Sequence, residues 1–294
     1  MRRGRASRTA EQNALFRALE SARPEGERLF DDPLARTFLR PPLSWVERAA
    51  HAPAVHRFAT SFIDRRWPGV RTSVVARTRF IDDTIATVVH AETRQVVLLG
   101  AGFDSRALRL PQLRGPRVFE VDHPDTQAAK RRVLLREQGS APAPVRFVPC
   151  DFDAQDLESV MRAAGFDRSE RSFILWEGVT NYLSAGAVDT TLRWCARAAP
   201  GSRLLFTYVH RDVLTHPERF VGAERLRASL ARAGENLTWG IVPDELPAYL
   251  AERGLTLQSD LGASEYRLRY YGDAARRIRG HEFYRVALAR VGVR

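Results

Sequence analysis

From Gln95 onward, strand-length apolar runs alternate with helical stretches, and this alternation constrains the fold more than any other feature of the chain. The predicted strands are residues 95–99, 117–121, 145–149, 172–176, 203–209, 255–259 and 283–290. Helical segments between them include residues 126–137 and 154–164. Because repeated strand–helix–strand units form parallel sheets, the sequence predicts an α/β fold with a seven-stranded, mostly parallel sheet covered by helices on both faces.

The chain before Gln95 shows helical rather than strand patterns. Residues 9–21 and 73–90 carry apolar side chains at helical spacing. The pair Asp32-Pro33 is typical of a helix start, because an acidic N-cap precedes proline in the first turn. We therefore predict that residues 1–92 form a helical cap on the sheet.

A long connection separates the fifth and sixth predicted strands. It covers residues 211–253 and contains two helical stretches. Structureless loops of that length are uncommon in compact domains, so we predict a helical insertion that acts as a lid. No internal repeat or low-complexity tract divides the chain. We therefore predict a single domain over residues 1–294, with the α/β core in residues 93–294.

The charge of the chain has two readings. The 294 residues carry a formal net charge of +11, which could indicate a nucleic-acid or other acidic partner. Lys130 is the only lysine, so arginine supplies every other basic residue. The arginines are spread along the whole chain rather than gathered in one stripe. This pattern favours a compositional bias, and we do not expect a nucleic-acid partner.

Several classes of protein are excluded by other features of the composition. The two cysteines, Cys150 and Cys195, lack metal-ligand spacing, and the histidines form no zinc motif. We therefore predict neither a disulfide scaffold nor a structural zinc site, as is usual in a reducing cytoplasm. We assign no metal-ligating residues, and the sequence leaves open a metal site built from carboxylates. The longest apolar runs are only strand-length, and the N-terminus lacks a secretory core. We predict a cytoplasmic protein with no membrane partner.

The first predicted strand runs into a glycine turn, Gly100-Ala101-Gly102. Glycines allow a tight turn and the close approach of a ligand, and ligands of open α/β sheets bind beyond the carboxyl ends of the strands. A dinucleotide fingerprint would place a third glycine at position 105, where this chain has serine. The turn is therefore compatible with a nucleotide-like cofactor or with a plain strand–helix connection.

Asp122 ends the second predicted strand, twenty residues after the glycine turn. A carboxylate at this position can accept hydrogen bonds from both hydroxyls of an adenosine ribose. Asp151 and Phe152 follow the third strand, where an acid and an apolar ring could contact adenine. Alternatively, Asp151 or Asp153 caps the next helix. The order, spacing and chemistry of these residues favour a nucleotide-like cofactor.

The fourth predicted strand ends at Trp176-Glu177-Gly178, and Tyr182 follows. Glu177 would lie at the lip of the cleft, where it could meet an amino group or a positive charge of a cofactor. The hydroxyl of Tyr182 would lie near the reacting atoms. Methyltransferases that act on nucleobase amino groups usually have an Asn/Asp-Pro-Pro-aromatic run at this point, and its absence counts against that class.

These elements, in this order, resemble the leucine carboxyl methyltransferase family. The resemblance includes a bacterial branch of S-adenosylmethionine-dependent O-methyltransferases, among them polyketide O-methyltransferases. It runs from about Thr9 to the C-terminus. Its most specific pieces are residues 76–82, 100–106, 120–124 and 176–178.

The resemblance implies a class I, Rossmann-like methyltransferase fold with S-adenosylmethionine as its cofactor. Arg77, or alternatively Arg79, would bind the carboxylate of the cofactor or of the substrate. Arg17 is a candidate for a further N-terminal basic contact. Tyr182 and Arg77 would position the substrate. The implied cofactor contacts are Arg77, Gly100, Ala101, Gly102, Asp104, Asp122, His123, Asp151, Phe152, Glu177 and Gly178.

The implied reaction is methyl transfer to a carboxylate or hydroxyl of a small molecule in secondary metabolism. A carboxylate acceptor would need no general base, whereas a phenol would be helped by one. A protein C-terminal carboxyl methyltransferase is one alternative. A nicotinamide-dependent oxidoreductase is another, although the missing third glycine and the lack of a Tyr-x-x-x-Lys pair argue against it. The sequence leaves open whether the protein is a monomer or a homodimer.

Overall fold

A computed structural model describes residues 8–138, 145–152 and 155–292 of the chain. Seven strands form one sheet in the order β3-β2-β1-β4-β5-β7-β6. Of the seven strands, β7 alone runs in the opposite direction to the other six, so the prediction of a mostly parallel sheet is confirmed. The strands are β1 (Gln95–Leu99), β2 (Arg117–Asp122), β3 (Val145–Pro149), β4 (Ser172–Trp176), β5 (Arg203–Val209), β6 (Leu255–Gly262) and β7 (Tyr284–Val291).

Both faces of the sheet are covered, which explains why the central strands carry apolar side chains on both faces rather than alternating apolar and polar ones. All five residues of β1 are buried. Val97 and Leu99 pack into the apolar core on one face, and Val96 and Leu98 pack into the core on the other. Successive strand residues point to opposite faces, so a strand with two covered faces cannot alternate apolar and polar side chains.

Twelve α-helices surround the sheet in the described part of the chain. Four belong to the cap, and three lie in the insertion between β5 and β6. The cap helices are α1 (Arg8–Ser21), α2 (Leu43–Ala49), α3 (Pro53–Arg66) and α4 (Val70–Val88). The others are α5 (Arg106–Arg109), α6 (Pro124–Gln138), α7 (Leu157–Ala163), α8 (Ala185–Ala196), α9 (Asp212–Thr215), α10 (Ala223–Ala233), α11 (Leu246–Ala251) and α12 (Ala263–Tyr271).

Two predicted helix starts are wrong in detail. The signal at Asp32-Pro33 leads only to a short 3₁₀ helix, Ala35–Phe38, whose first N–H donates to Asp32 Oδ1 at 3.1 Å. The helix predicted over residues 154–164 begins at Leu157. Its N-cap is Asp156, whose carboxylate accepts from two backbone N–H groups of the first turn. The other predicted cap, Asp153, lies outside the described residues.

The cap packs onto the sheet through an apolar core of its own. Phe38 of the 3₁₀ helix stacks on Phe103 of the loop after β1, with ring centroids 4.9 Å apart. Leu15 and Leu19 of α1 belong to the same core. This packing holds α1 against the glycine turn, at the edge of the sheet where parallel strands end.

Among the described residues, no helix is both long enough and apolar enough to cross a membrane. Within the same residues, no group of three or more histidine, cysteine, aspartate and glutamate side chains is arranged to hold a metal ion. Cys150 and Cys195 are both buried and form no disulfide.

Candidate active site

A cleft of about 600 Å³ lies beyond the carboxyl ends of β1 to β4. Its open side is bordered by residues of α1 and of the insertion, among them Thr9, Asn13 and Glu235. Every cofactor contact implied by the resemblance lines it, as does Tyr182; these residues are Arg77, Gly100, Ala101, Gly102, Asp104, Asp122, His123, Asp151, Phe152, Glu177, Gly178 and Tyr182. The fold therefore brings together residues that lie more than one hundred positions apart in the sequence.

The glycine turn is fixed by hydrogen bonds to the end of β2. The N–H groups of Gly100 and Ala101 donate to the carbonyl oxygen of Val121 at 2.8 and 3.1 Å. Gly100 and Gly102 have φ values of 67° and 48°, in the region that only glycine adopts at little cost. The N–H of Gly102 donates to the Asp122 carboxylate. The turn and the carboxylate thus form one rigid unit.

The wall next to Asp122 continues onto β3. The N–H of Cys150 donates to the carbonyl oxygen of Asp122 at 2.8 Å, which aligns the ends of β2 and β3. His123 Nε2 lies 4.0 Å from a carboxylate oxygen of Asp151. Phe152 packs against the apolar core beside them. Burial raises the pKa of Asp122, and the backbone N–H groups of Gly102 and His123 oppose that rise.

Two arginines hold Glu177 at the end of β4. Its Oε1 accepts from Arg77 Nε at 2.8 Å and its Oε2 accepts from Arg106 Nη1 at 2.7 Å. Arg106 also binds Asp104 and Asp82, each at 2.7 Å. Its planar guanidinium provides the fork of donors that such multiple pairing requires. Glu177 is therefore a fixed, charged feature of the cleft floor.

The same ion pairs continue into the cap. Asp82 also accepts from Arg109 Nη2 at 2.7 Å, and Arg109 Nε lies 3.9 Å from Asp32. Asp32 pairs with Arg17 at 2.8 Å, and Arg17 donates to the carbonyl oxygen of Phe103 at 2.6 Å. We call this set the cleft network; its members are Arg17, Asp32, Arg77, Asp82, Asp104, Arg106, Arg109 and Glu177.

All members of the cleft network for which a pKa shift is resolved are stabilised in their charged forms. Burial alone would raise the pKa of Asp104, but the nearby Arg106 charge outweighs it and the pKa falls to about 2. Burial likewise opposes a charged Glu177, yet Arg106 and Arg77 lower its pKa. The pKa of Arg77 is raised by Glu177 despite burial. The network therefore presents fixed charges at neutral pH.

Acid should weaken the fold through Asp104. Its pKa is about 2 in the folded chain and 3.8 when unperturbed, so its contribution to stability is complete above pH 3.8 and is lost as the pH falls towards 2. The shift corresponds to about 2 kcal/mol. Denaturant unfolding of the wild type and of Asp104→Asn across this pH range measures the contribution. A difference between the two that stays constant with pH would contradict it.

Two of the candidate basic residues reach the cleft and one does not. Arg77 lines the cleft, where its guanidinium lies over the ring of Tyr284 at 5.5 Å. Arg17 also lines it. Arg79, the alternative to Arg77, instead pairs with Asp83 at 2.9 Å and does not line the cleft.

Sequence reasoning missed Arg106 and Asp82 as members of the site. Both lie inside the motifs that carried the family resemblance, but nothing in the sequence showed that they pair with each other.

Burial raises the pKa of Tyr182 well above its usual value. Tyr182 therefore stays protonated at neutral pH, so it can donate a hydrogen bond but cannot act as a base.

A family model for leucine carboxyl methyltransferase matches residues 10–196 of the chain. The chain belongs to the leucine carboxyl methyltransferase family. It is thus a methyltransferase that depends on S-adenosylmethionine, and the prediction of family, enzyme type and cofactor is confirmed.

Bacterial relatives agree with this assignment. A Frankia alni protein named as an S-adenosyl-L-methionine-dependent methyltransferase is 39% identical over 217 residues, which covers 73% of this chain and 71% of the relative. A Parafrankia protein of the same name is 36% identical over 265 residues, which covers 88% of this chain and 81% of the relative.

Two solved structures share the fold over nearly the whole chain. A methyltransferase from Thermobifida fusca matches with a TM-score of 0.58 at 16% identity, covering 96% of this chain and 94% of that one. A DUF574 family protein from Streptomyces avermitilis matches with a TM-score of 0.56 at 16% identity, covering 94% and 96%. At this identity the matches support the fold only.

The residues of the cleft suit S-adenosylmethionine. Asp122 and Glu177 supply carboxylate acceptors at two separate points of the cleft, and Arg77 supplies a guanidinium beside Glu177. Gly178 has a φ of 71°, and a Cβ built on it would meet no atom within 4 Å. The cleft is therefore open next to the carboxylate of Glu177.

Proposed function

We propose that this methyltransferase acts on an oxygen atom, either a carboxylate or a hydroxyl, of a small molecule. The observation that carries the proposal is the convergence of Asp122, Asp151, Glu177 and Arg77 on one cleft that also contains the hydroxyl of Tyr182. The family resemblance supports oxygen as the acceptor. We further propose that the protein is cytoplasmic, that cap and core form a single domain, and that the acceptor belongs to secondary metabolism, such as the polyketides that the resemblance implies.

Each part of the cofactor has a proposed partner. Asp122 would accept hydrogen bonds from the ribose hydroxyls, and Asp151 and Phe152 would contact the adenine. Glu177 would accept from the amino group, and Arg77 would donate to the carboxylate. Asp104 and His123, together with Gly100, Ala101, Gly102 and Gly178, complete the proposed contacts.

When bound, S-adenosylmethionine supplies a methyl group on a positively charged sulfur, which is an activated leaving group. The protein's own residues then have to orient the acceptor and exclude water. Tyr182 stays protonated and can donate a hydrogen bond to an acceptor oxygen. Arg77 contributes a fixed positive charge, since Glu177 keeps it in place at 2.8 Å.

We propose that the insertion between β5 and β6 acts as a lid. Thr9 Oγ1 of α1 donates to Glu235 Oε2 of the insertion at 2.6 Å, so the cap and the insertion meet at the open side of the cleft. The negative charge of Glu235 contributes to the raised pKa of Tyr182, which places both near the same end of the cleft. Opening of this contact would admit the acceptor, and closure would exclude water.

Asp122→Ala should weaken binding of S-adenosylhomocysteine, measured by calorimetry, by about 1–3 kcal/mol, because ribose hydroxyls would lose their acceptor. Asp273→Ala, an exposed change away from the cleft, is the control and should leave affinity unchanged. Because Asp122 also holds Gly102, the melting temperature of each variant is measured alongside. Unchanged affinity in Asp122→Ala would refute the proposed register, as would tight binding of a nicotinamide dinucleotide instead.

A further inference from the structure

Helices α2 and α3 of the cap expose large apolar side chains. Trp45, Phe58 and Phe62 are 65%, 70% and 55% exposed, and Val46 and Val55 are also exposed. We call these five residues the aromatic face. Single exposed apolar residues are ordinary, but several large ones on two adjacent helices mark a surface that contacts something else.

The exposed residues of α3 lie on one side of the helix. Val55, Phe58 and Phe62 are spaced by three and four positions, which places them along one stripe. Ala59 and Ile63, each one position after Phe58 and Phe62, lie on the neighbouring side of the helix and are buried. Helix α3 therefore has two apolar sides, and the fold of the chain buries only one of them.

The two helices that carry the aromatic face also carry exposed positive charge. The exposed arginines of these helices are Arg48, Arg57, Arg65 and Arg66. Arg65 and Arg66 follow Phe62 by three and four positions, so they flank the stripe on the same side of α3. The acids of the two helices do not balance them, because Glu47 is buried and Asp64 is paired with Arg71 of α4 at 2.6 Å.

We propose that the aromatic face docks on an anionic lipid membrane surface. Helices that lie in a membrane interface combine Trp and Phe on one side with arginines beside them, and the arginines can keep their charged ends among lipid headgroups. Each arginine near an anionic leaflet adds to the attraction. This peripheral docking departs from the prediction of no membrane partner, which depended on the absence of an apolar run long enough to span a bilayer.

Two other occupants fit these residues less well. In a two-fold dimer the same patch meets itself, so the four arginines of one copy would face the four of the other without neutralising acids. A protein partner would need pockets that match aromatic rings protruding by more than half of their surface. A fluid bilayer interface accepts such rings without preformed pockets.

The test is co-sedimentation of the full chain with vesicles. One set contains phosphatidylglycerol mixed with phosphatidylcholine, and the other contains phosphatidylcholine alone. We expect binding to the anionic vesicles that is about tenfold or more stronger than to the neutral ones and that weakens with salt. Phe58→Ser/Phe62→Ser and Arg65→Gln/Arg66→Gln should each reduce it about tenfold. Leu268→Ser, at an exposed leucine of α12, is the matched control and should bind as the wild type does.

Binding of S-adenosylhomocysteine by each variant verifies that the cleft is intact. A loss of vesicle binding with this affinity unchanged therefore concerns the aromatic face and not the proposed function of the cleft. Equal binding of wild type and Phe58→Ser/Phe62→Ser to anionic vesicles would overturn the proposal, as would no binding by the wild type. A concentration-dependent dimer in sedimentation velocity, abolished by the same double substitution and with no vesicle binding, would reassign the face to a second copy of the chain.

Discussion

Replacement of Arg106 by methionine is expected to destabilise the protein by about 3–5 kcal/mol, because it leaves buried carboxylates without their partner. Arg106 is almost completely buried and pairs with Asp82, Asp104 and Glu177. Asp82 and Glu177 retain a second arginine. Among the described residues, the Asp104 carboxylate loses its ion pair and keeps one hydrogen bond, from the backbone N–H of residue 106, while Arg17 and Lys130 still act on it as more distant positive charges. Denaturant unfolding at neutral pH measures the loss.

The matched control for this substitution is Arg193→Met. Arg193 also pairs with an aspartate, Asp189 at 2.9 Å, but it is exposed on the surface of α8. Exposed pairs of this kind contribute about 0–1 kcal/mol. The destabilisation caused by Arg106→Met should also become smaller at low pH, because the carboxylates that have lost Arg106 can then take up protons. If Arg106→Met cost no more than Arg193→Met, the cleft network would not contribute to the stability of the fold.

Gly100→Ala should destabilise the protein by about 2–5 kcal/mol, from overpacking together with an unfavourable backbone conformation. A Cβ at this position would lie 2.3 Å from Cγ2 of Val179, and φ is +67°. The β1 turn would therefore have to move away from the loop after β4. Because both segments line the cleft, S-adenosylhomocysteine affinity should fall together with stability.

The double variant Gly100→Ala/Val179→Ala separates the two causes. It removes the overlap and should leave only the backbone strain, about 1–2 kcal/mol relative to Val179→Ala. Gly186→Ala is the control, because its Cβ would meet no atom within 4 Å and it lies in helix α8. That change should be neutral or slightly stabilising. If Gly100→Ala cost as much in the Val179→Ala background as in the wild type, steric overlap with Val179 would not be the cause.

The sequence made Gly100 and Gly102 look equivalent, and only the packing distinguishes them. A Cβ on Gly102 would lie 3.5 Å from Ala10 and 4.0 Å from Asp122, which are ordinary contacts. The close approach is at Gly100, from a residue seventy-nine positions further along the chain. No sequence pattern could identify Val179 as that neighbour.

The helical cap shows a second limit of sequence patterns. The apolar spacing of Phe58 and Phe62 is the same whether a helix face is buried or exposed, since periodicity reports that a stripe exists but not what covers it. Likewise, Asp32 resembled a helix N-cap, but its carboxylate only accepts from the first N–H of a short 3₁₀ helix whose N-cap is Leu34. The ion pair between Asp32 and Arg17 depends on how this 3₁₀ helix packs against α1.

By itself, the sequence determined the seven strands, the glycine turn and the acids at or just after the ends of β2, β3 and β4. These could be predicted because strand and helix periods are local, and because the carboxyl ends of parallel strands share one edge of a sheet. The tertiary structure alone decided which arginine pairs with which acid. Arg77 and Glu177 lie one hundred residues apart, and only the packing of α4 against the end of β4 brings their side chains within 2.8 Å.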